Sequence, residues 1–442
     1  MSGPKVVRIV TRDELLAICD GLLARVDSAL SRWERVCARN DALDDEALSA
    51  ARDRRDALAA LVAADRFDEF QKQAPQEEAF LRDDVRHRLE AVARRQAEER
   101  SRERRGTEAG ATLRRTLVER GLDVGPDLEA GLAAGDAGAL SRALAILDAQ
   151  VEGTSTSRDE LARALRRGDS PGSFDEWLAR SGRSPSDERS SRIEARVAEI
   201  EALVGTDVTR GLRTRLDEVA GAEERRRSLM LDGLEVESGR MLDECVRTER
   251  TRLDAGLLLA ECLAHGLEVE LDEAALDDMR LEELEAWIAT TTSALDSSRE
   301  AAAAEARRRV VLEALARIGY KTTEGMTTAV PSDAGMVVRS IARPRYGVEV
   351  GPVGPTGRIQ MRPVAFGVGP AEPDPARDVD AETIWCGDVS SLARILAENG
   401  DSLAIERSLA VGAVPLKRYP LPADGADRTA DLPVRRERSR PH

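Results

Sequence analysis

The chain has 442 residues, of which 33% are charged and only 3% are aromatic, and its formal net charge is −16. So few aromatic residues favour long helices with thin apolar stripes over a packed catalytic cavity. The negative charge opposes general attraction to DNA or anionic lipid, although it allows a local basic patch. The densest apolar run, residues 257–260, is broken by Glu261. Because a membrane span needs about 18 apolar residues, we expect no membrane partner.

The N-terminal part is predicted to be helical. Thr11 and Glu14 form a capping-box pattern ahead of an amphipathic helix that ends near Asn40. A second helix follows residues 43–45, and Pro75 is expected to open a third that runs towards Gly106. We assign residues 1–106 to an N-terminal helical or coiled-coil region.

The middle of the chain is predicted to hold two short-helix modules separated by a linker. Residues 107–185 form the first module and the linker, in which 168–186 carries loop residues and one short helix around Trp177. Residues 186–305 form a long helical hairpin or coiled coil, with an apolar seam at 193–219, and a second module. The segments 121–124 and 266–269 share a Gly-Leu-acidic-Val pattern, which would fit a duplication or a chance match.

The periodicity changes from helix to strand after Tyr320. Strands are expected at 321–330, 336–342, 346–350, 358–363 and 403–411. A Pro/Asp-rich loop over 367–379 precedes a helix at 380–399, which Asp388 would restart as an N-cap after Gly387. Residues 306–421 are therefore predicted to be a C-terminal α+β docking domain that folds alone, and 422–442 a disordered tail. The predicted fold class is mainly α, with a small α+β domain built on an antiparallel sheet.

The composition indicates a reduced bacterial protein and shows no familiar catalytic motif. Five scattered cysteines without CxxC spacing argue against a disulfide framework or a zinc site. The apolar run at the N-terminus is too short for a signal peptide, and arginine greatly exceeds lysine, as in high-GC genomes. No P-loop pattern exists, and only three histidines are available for catalysis. We expect a cytoplasmic location, no cofactor, no metal site and no catalytic residue.

Two local features are candidate sites. Cys386 lies near a predicted helix N-terminus, where a thiol can become reactive, although Trp385 and Asp388 fit a core anchor and a cap. The second feature is a set of arginines in the sheet region, where Glu349 is the single acidic residue of 336–362. Arg358 and Arg362 are expected to stay wet and to matter little for folding. The candidate partner-binding residues are Arg339, Arg343, Arg345, Arg358 and Arg362.

We expect a non-catalytic scaffold or adaptor that assembles with proteins, which could be acidic, and that could self-associate through its helices. The basic patch could instead receive the acidic 371–382 segment of the same chain, or remain a solvated face. A nucleic-acid-associated coiled-coil protein using these arginines and the 82–105 helix is the alternative, and an enzyme with an unrecognised site is the second alternative. A salt-dependent affinity for DNA would favour the nucleic-acid alternative.

Overall fold

The computed structural model describes residues 4–151, 185–322, 336–353, 357–367 and 375–419. Within these ranges the chain forms helices and a single sheet. The helices are α1 (Arg12–Arg39), α2 (Asp45–Ala63), α3 (Phe67–Glu119), α4 (Pro126–Ala133), α5 (Ala137–Val151), α6 (Pro185–Val204), α7 (Arg210–Ala220), α8 (Glu224–Ala264), α9 (Glu273–Asp278), α10 (Leu281–Arg317) and α11 (Pro375–Glu398). The strands are β1 (Lys5–Val10), β2 (Tyr320–Thr322), β3 (Met336–Ser340), β4 (Tyr346–Val353), β5 (Arg358–Phe366), β6 (Ser402–Ser408) and β7 (Lys417–Tyr419).

The mainly helical fold with a small C-terminal sheet region is confirmed. In the helical body, α1 packs along α3 and α8, and α6 packs between α3 and α8. Trp33 of α1 is 2% exposed beside Leu81 of α3 and Leu257 of α8, and its indole donates to Asp84 at 2.8 Å. In the part of the chain that the structure describes, none of the helices combines the length and apolar character needed to cross a bilayer.

The first helix begins as expected, with one difference at its cap. The Thr11 hydroxyl accepts from the Glu14 backbone N–H at 3.1 Å. Glu14 does not reach back to the cap, because its carboxylate binds the Arg307 guanidinium of α10, whose side chain is 9% exposed. This ion pair joins the start of the helical body to its last long helix.

Helix α3 is longer at both ends than the sequence indicated. It begins at Phe67, holds Pro75 in its interior and continues through Gly106. Phe67 and Phe70 are buried in the core around α1, so their packing supports the turn that precedes the proline. The helix continues through Gly106 and Gly110, where the absence of a side chain leaves room for α4 and its turn. A Cβ at Gly110 would lie 1.9 Å from the Leu132 carbonyl oxygen. The boundary expected at 106/107 therefore falls within a continuous helix.

The apolar seam at 193–219 belongs to two helices and is not one continuous helix. Helix α6 ends at Val204, and Gly205 follows with a φ of 96°, which a side chain would disfavour. The chain then returns as α7, so that Ile193, Leu212 and Leu231 pack in one core with α8. The structure therefore divides the expected seam between two shorter helices that pack on α8.

The two Gly-Leu-acidic-Val segments adopt the same turn. Gly121 has a φ of 70° and Gly266 a φ of 72°, each directly after a long helix. The next N–H, from Leu122 or Leu267, donates at 3.0 Å to the carbonyl five residues earlier, that of Leu117 or Cys262. The same hydrogen bond also closes α1, α2, α4 and α11, so the shared turn does not test the proposed duplication, which stays a hypothesis.

The sheet has the order β2-β3-β4-β5-β1-β6, all antiparallel, and β7 adds to the end of β5 in parallel. Helices α10 and α11 cover one face, where Ile359, Met361 and Trp385 are at most 1% exposed. Strand β1 was not expected, because 1–106 was assigned to helix. It lies between β5 and β6, so residues from both parts of the chain build one sheet.

Helix α11 runs from Pro375 to Glu398 without a break at Gly387. Trp385 is the core anchor that the sequence indicated. The Asp388 cap is wrong: this carboxylate lies within the helix and accepts the Tyr320 hydroxyl at 2.6 Å. Four predictions lie wholly or mostly outside the described residues: the linker at 168–186 with its helix near Trp177, most of the 321–330 strand, much of the 367–379 loop, and the tail at 422–442.

Candidate partner-binding face of the sheet

The sheet has one face towards the helices and a second that we call the open face. Alternation along β1 sends Val7 and Ile9, both fully buried, towards the helices and Arg8 to the open face. The same alternation along β5 buries Ile359 and Met361 and directs Arg358 and Arg362 outward. The expected assignment of these two faces is therefore supported by the burial of the apolar residues.

The strands are basic although the protein is acidic. In the seven strands that the structure describes, Glu349 and Glu406 are the acidic residues, whereas nine residues are lysine or arginine. Two of the nine point to the helix side: Lys5, which reaches Cys386, and Arg418, which pairs with Asp378 of α11 at 3.0 Å. The other seven belong to the open face: Arg8, Lys321, Arg339, Arg358, Arg362, Arg407 and Lys417.

Glu349 is the centre of the largest ion-pair cluster on this face. Its carboxylate binds Arg362 on the neighbouring strand and Lys417 at 2.9 Å, and it is 16% exposed. Burial alone would raise the pKa of Glu349, but hydrogen bonds from Arg362, Lys417 and Tyr419 lower it to about 2. Arg362 is therefore not the wet, independent arginine that the sequence suggested, because it is committed to Glu349.

Arg358 is exposed, as expected, and is paired with Glu406 at 2.6 Å. Its neighbour directly across the strand pair is Arg8. A second cross-strand pair of like charge is formed by Lys321 on β2 and Arg339 on β3. Among the described residues, no carboxylate makes an ion pair with Lys321 or Arg339.

Arg343 and Arg345 lie in the connection between β3 and β4, away from the row of open-face cations. The Arg343 carbonyl accepts from Tyr346 N at 2.9 Å, and the Arg345 carbonyl accepts from Phe366 N at 2.8 Å. Burial and Asp388 raise the pKa of Tyr320, and the nearby charge of Arg343 partly offsets this. The structure thus brings together Arg339, Arg358 and Arg362 on one face and places the other two arginines at the end of the sheet.

Four open-face cations were missed by sequence reasoning: Arg8, Lys321, Arg407 and Lys417. The signal for Arg8 was present, because Val7 and Ile9 flank it in an alternating, β-branched run. The bulge that brings Arg407 opposite Val6 and the parallel pairing of β7 depend on tertiary contacts. No local pattern reports such pairings.

Cys386 is half-buried on α11, with the Lys5 ammonium 3.4 Å from its sulfur. Lys5 is itself 3% exposed and also lies 3.4 Å from the Ser408 hydroxyl. The thiol therefore faces the buried side of the sheet.

Cys19, Cys37 and Cys262 are fully buried, and burial raises the pKa of Cys19 and of Cys37 to about 11. They pack as small apolar core residues. Over the described ranges, no group of three or more His, Cys, Asp and Glu side chains is arranged to hold a metal ion.

Arginine presents a planar fork that matches a carboxylate or phosphate, and lysine adds a mobile point charge. The open face can thus bind an anion on a rigid platform, since the strands beneath its cations are anchored by the buried core. No protein family, curated protein or solved structure matches this chain.

Proposed function

We propose that this protein is a non-catalytic bacterial scaffold or adaptor, in which a long helical body carries a C-terminal docking region. The observation that carries the proposal is the open face of the sheet. It holds seven cations and two carboxylates in a protein of net charge −16. Such a local reversal of charge favours electrostatic recognition of a partner, since exposed ion pairs such as Arg358–Glu406 contribute little to folding.

The helical body supports the scaffold part of the proposal through its reach. Helix α3 has 53 residues, which corresponds to a length of about 80 Å. Self-association through helices is supported by Leu229 and Val236, which are 67% and 73% exposed and lie seven residues apart on α8. Residues at that spacing share one face of a helix and could meet a second apolar stripe. We place the protein in the cytoplasm because its five cysteines are free.

The test uses the intact protein, tagged and purified from its native host after treatment with a lysine-reactive cross-linker. The chain has four lysines: Lys5 is buried, Lys72 is exposed on α3, and Lys321 and Lys417 lie on the open face. We expect a protein that co-purifies at a constant ratio and is cross-linked through Lys321 or Lys417 more than through Lys72. A chain that purifies without a stoichiometric partner would contradict the proposal.

A further inference from the structure

The open face contains an electrostatic conflict that the sheet does not resolve. Lys321 and Arg339 are direct cross-strand partners, as are Arg8 and Arg358. Side chains in such positions have Cβ atoms about 4.5–5.5 Å apart, and like charges there destabilise the pair. Glu406 offsets the second conflict by binding Arg358 at 2.6 Å. The first conflict has no matching carboxylate within the described ranges.

The Lys321–Arg339 pair is accessible to solvent, and buried residues hold the strand that carries Arg339. Lys321 is exposed and Arg339 is half-buried. On either side of Arg339 in β3, Val338 and Ser340 are buried, with Val338 in the core beneath the sheet. The backbone that carries the guanidinium is therefore fixed in place, so an incoming anion would meet an oriented site.

We propose that Lys321 and Arg339 form the recognition point for an acidic segment of a partner protein, which places two neighbouring Asp or Glu carboxylates over this pair. This inference rests on the proposed scaffold function and names the chemistry of its partner. Alternate residues of an extended chain point to the same side about 6.8 Å apart, and the long, flexible Lys321 and Arg339 side chains can each reach one of two such carboxylates. Binding would replace a repulsion with two charge-assisted contacts.

The face fits an acidic peptide better than a nucleic acid. Single-stranded nucleic acids are commonly held by bases stacked on exposed aromatic rings. Here the Phe366 ring is 4% exposed and lies over Gly347, with its Cε2 atom 2.8 Å from the position a Cβ would take. Tyr419 packs against that ring with centroids 6.3 Å apart, and the Lys417 ammonium lies 4.7 Å from the Tyr419 centroid. The net charge of −16 further opposes a densely charged nucleic-acid backbone.

The test measures stability and binding in the same full-length variants. Arg339→Glu converts the like-charge pair into an ion pair with Lys321, so we expect its melting temperature to rise. We expect its affinity for a fluorescent peptide of alternating glutamate and serine to fall by about tenfold or more, because a charged contact is lost and a repulsion added. A glutamine–serine peptide should not bind either protein. Arg95→Glu, the same charge change at an exposed position on α3, should leave the peptide affinity unchanged.

If Arg339→Glu does not fold, Lys321→Glu tests the same pair at its exposed member. Unchanged peptide affinity in the folded variant would overturn the inference, as would a lower melting temperature or tighter binding of single-stranded DNA than of the acidic peptide. A host partner cross-linked elsewhere, together with unchanged peptide affinity, would overturn this inference and leave the scaffold function standing. The absence of any host partner would instead contradict the scaffold function itself.

Discussion

Glu349 links three strands of the open face through one carboxylate. It lies on β4 and binds Arg362 of β5 and Lys417 of β7. The contacts that lower its pKa from 4.5 to about 2 correspond to about 3 kcal/mol of stability. This contribution is complete above about pH 4.5, where the carboxylate is charged in both states, and is lost as the pH falls towards 2.

We expect Glu349→Gln to lower the free energy of unfolding by about 3 kcal/mol at pH 7. The difference from the parent protein should shrink as the pH falls below about 4.5. Denaturant titrations across this range measure it, with Glu285→Gln at an exposed surface pair as the control. A difference that stays constant down to pH 3 would mean that Glu349 does not hold a low pKa.

The two faces of β5 predict opposite responses to substitution. Met361 is fully buried, so Met361→Ala should cost about 2–5 kcal/mol. Arg358 is 57% exposed and lies between Glu406 and Arg8. Arg358→Glu loses one ion pair and gains a favourable neighbour, so its effect should stay within about 0.5 kcal/mol. Thermal melts of both variants test this, and a large loss in Arg358→Glu would reverse the assignment of faces.

Strand β1 joins the N-terminal part of the chain to the C-terminal sheet. Residues 306–421 were expected to fold alone, but the strand that lies between β5 and β6 comes from Lys5–Val10. We now expect the isolated 306–421 fragment to lack a cooperative melt and to gain one when residues 4–11 are tethered to it. Circular dichroism of the two fragments makes the comparison. Equal, cooperative melting of both would show that β1 is dispensable.

Two glycines in long helices should respond to alanine in opposite ways. Alanine normally stabilises a helix interior by about 0.5–1 kcal/mol relative to glycine. Gly233 on α8 is exposed and has open space around it, so Gly233→Ala should follow this rule. Gly110→Ala should instead destabilise, because the added carbon would clash with the Leu132 carbonyl. Denaturant unfolding compares the two, and stabilisation by both would contradict the close packing of α3 on α4.

The success of sequence reasoning depended on whether each element was encoded locally. The Thr11 cap, the end of α1 and the start of α2 follow from capping residues and apolar spacing, which act within a few residues. Pro75 and Gly106 were wrongly predicted to mark the ends of α3, because the tertiary packing of Phe70 and the approach of Gly135 override their local preferences. For the site, alternation placed Arg358 on the correct face, whereas the pairing of Lys321 with Arg339 required the strand register.

At the scale of the whole molecule, the length of α3 sets a minimum dimension. A compact globule of 442 residues would have a radius of gyration of about 22 Å, and hence a diameter of less than about 60 Å. Helix α3, with 53 residues, is about 80 Å long by itself. The protein should therefore elute from a sizing column ahead of a 48.1 kDa globule even as a monomer.

Small-angle X-ray scattering, coupled to chromatography and light scattering, tests the extended scaffold most directly. Light scattering fixes the mass of the eluting species and so separates elongation from dimerisation. For a species of one-chain mass we expect a maximum dimension of at least about 80 Å and a radius of gyration well above about 22 Å. A monomer with a radius of gyration near 22 Å and a maximum dimension below the length of α3 would contradict the account.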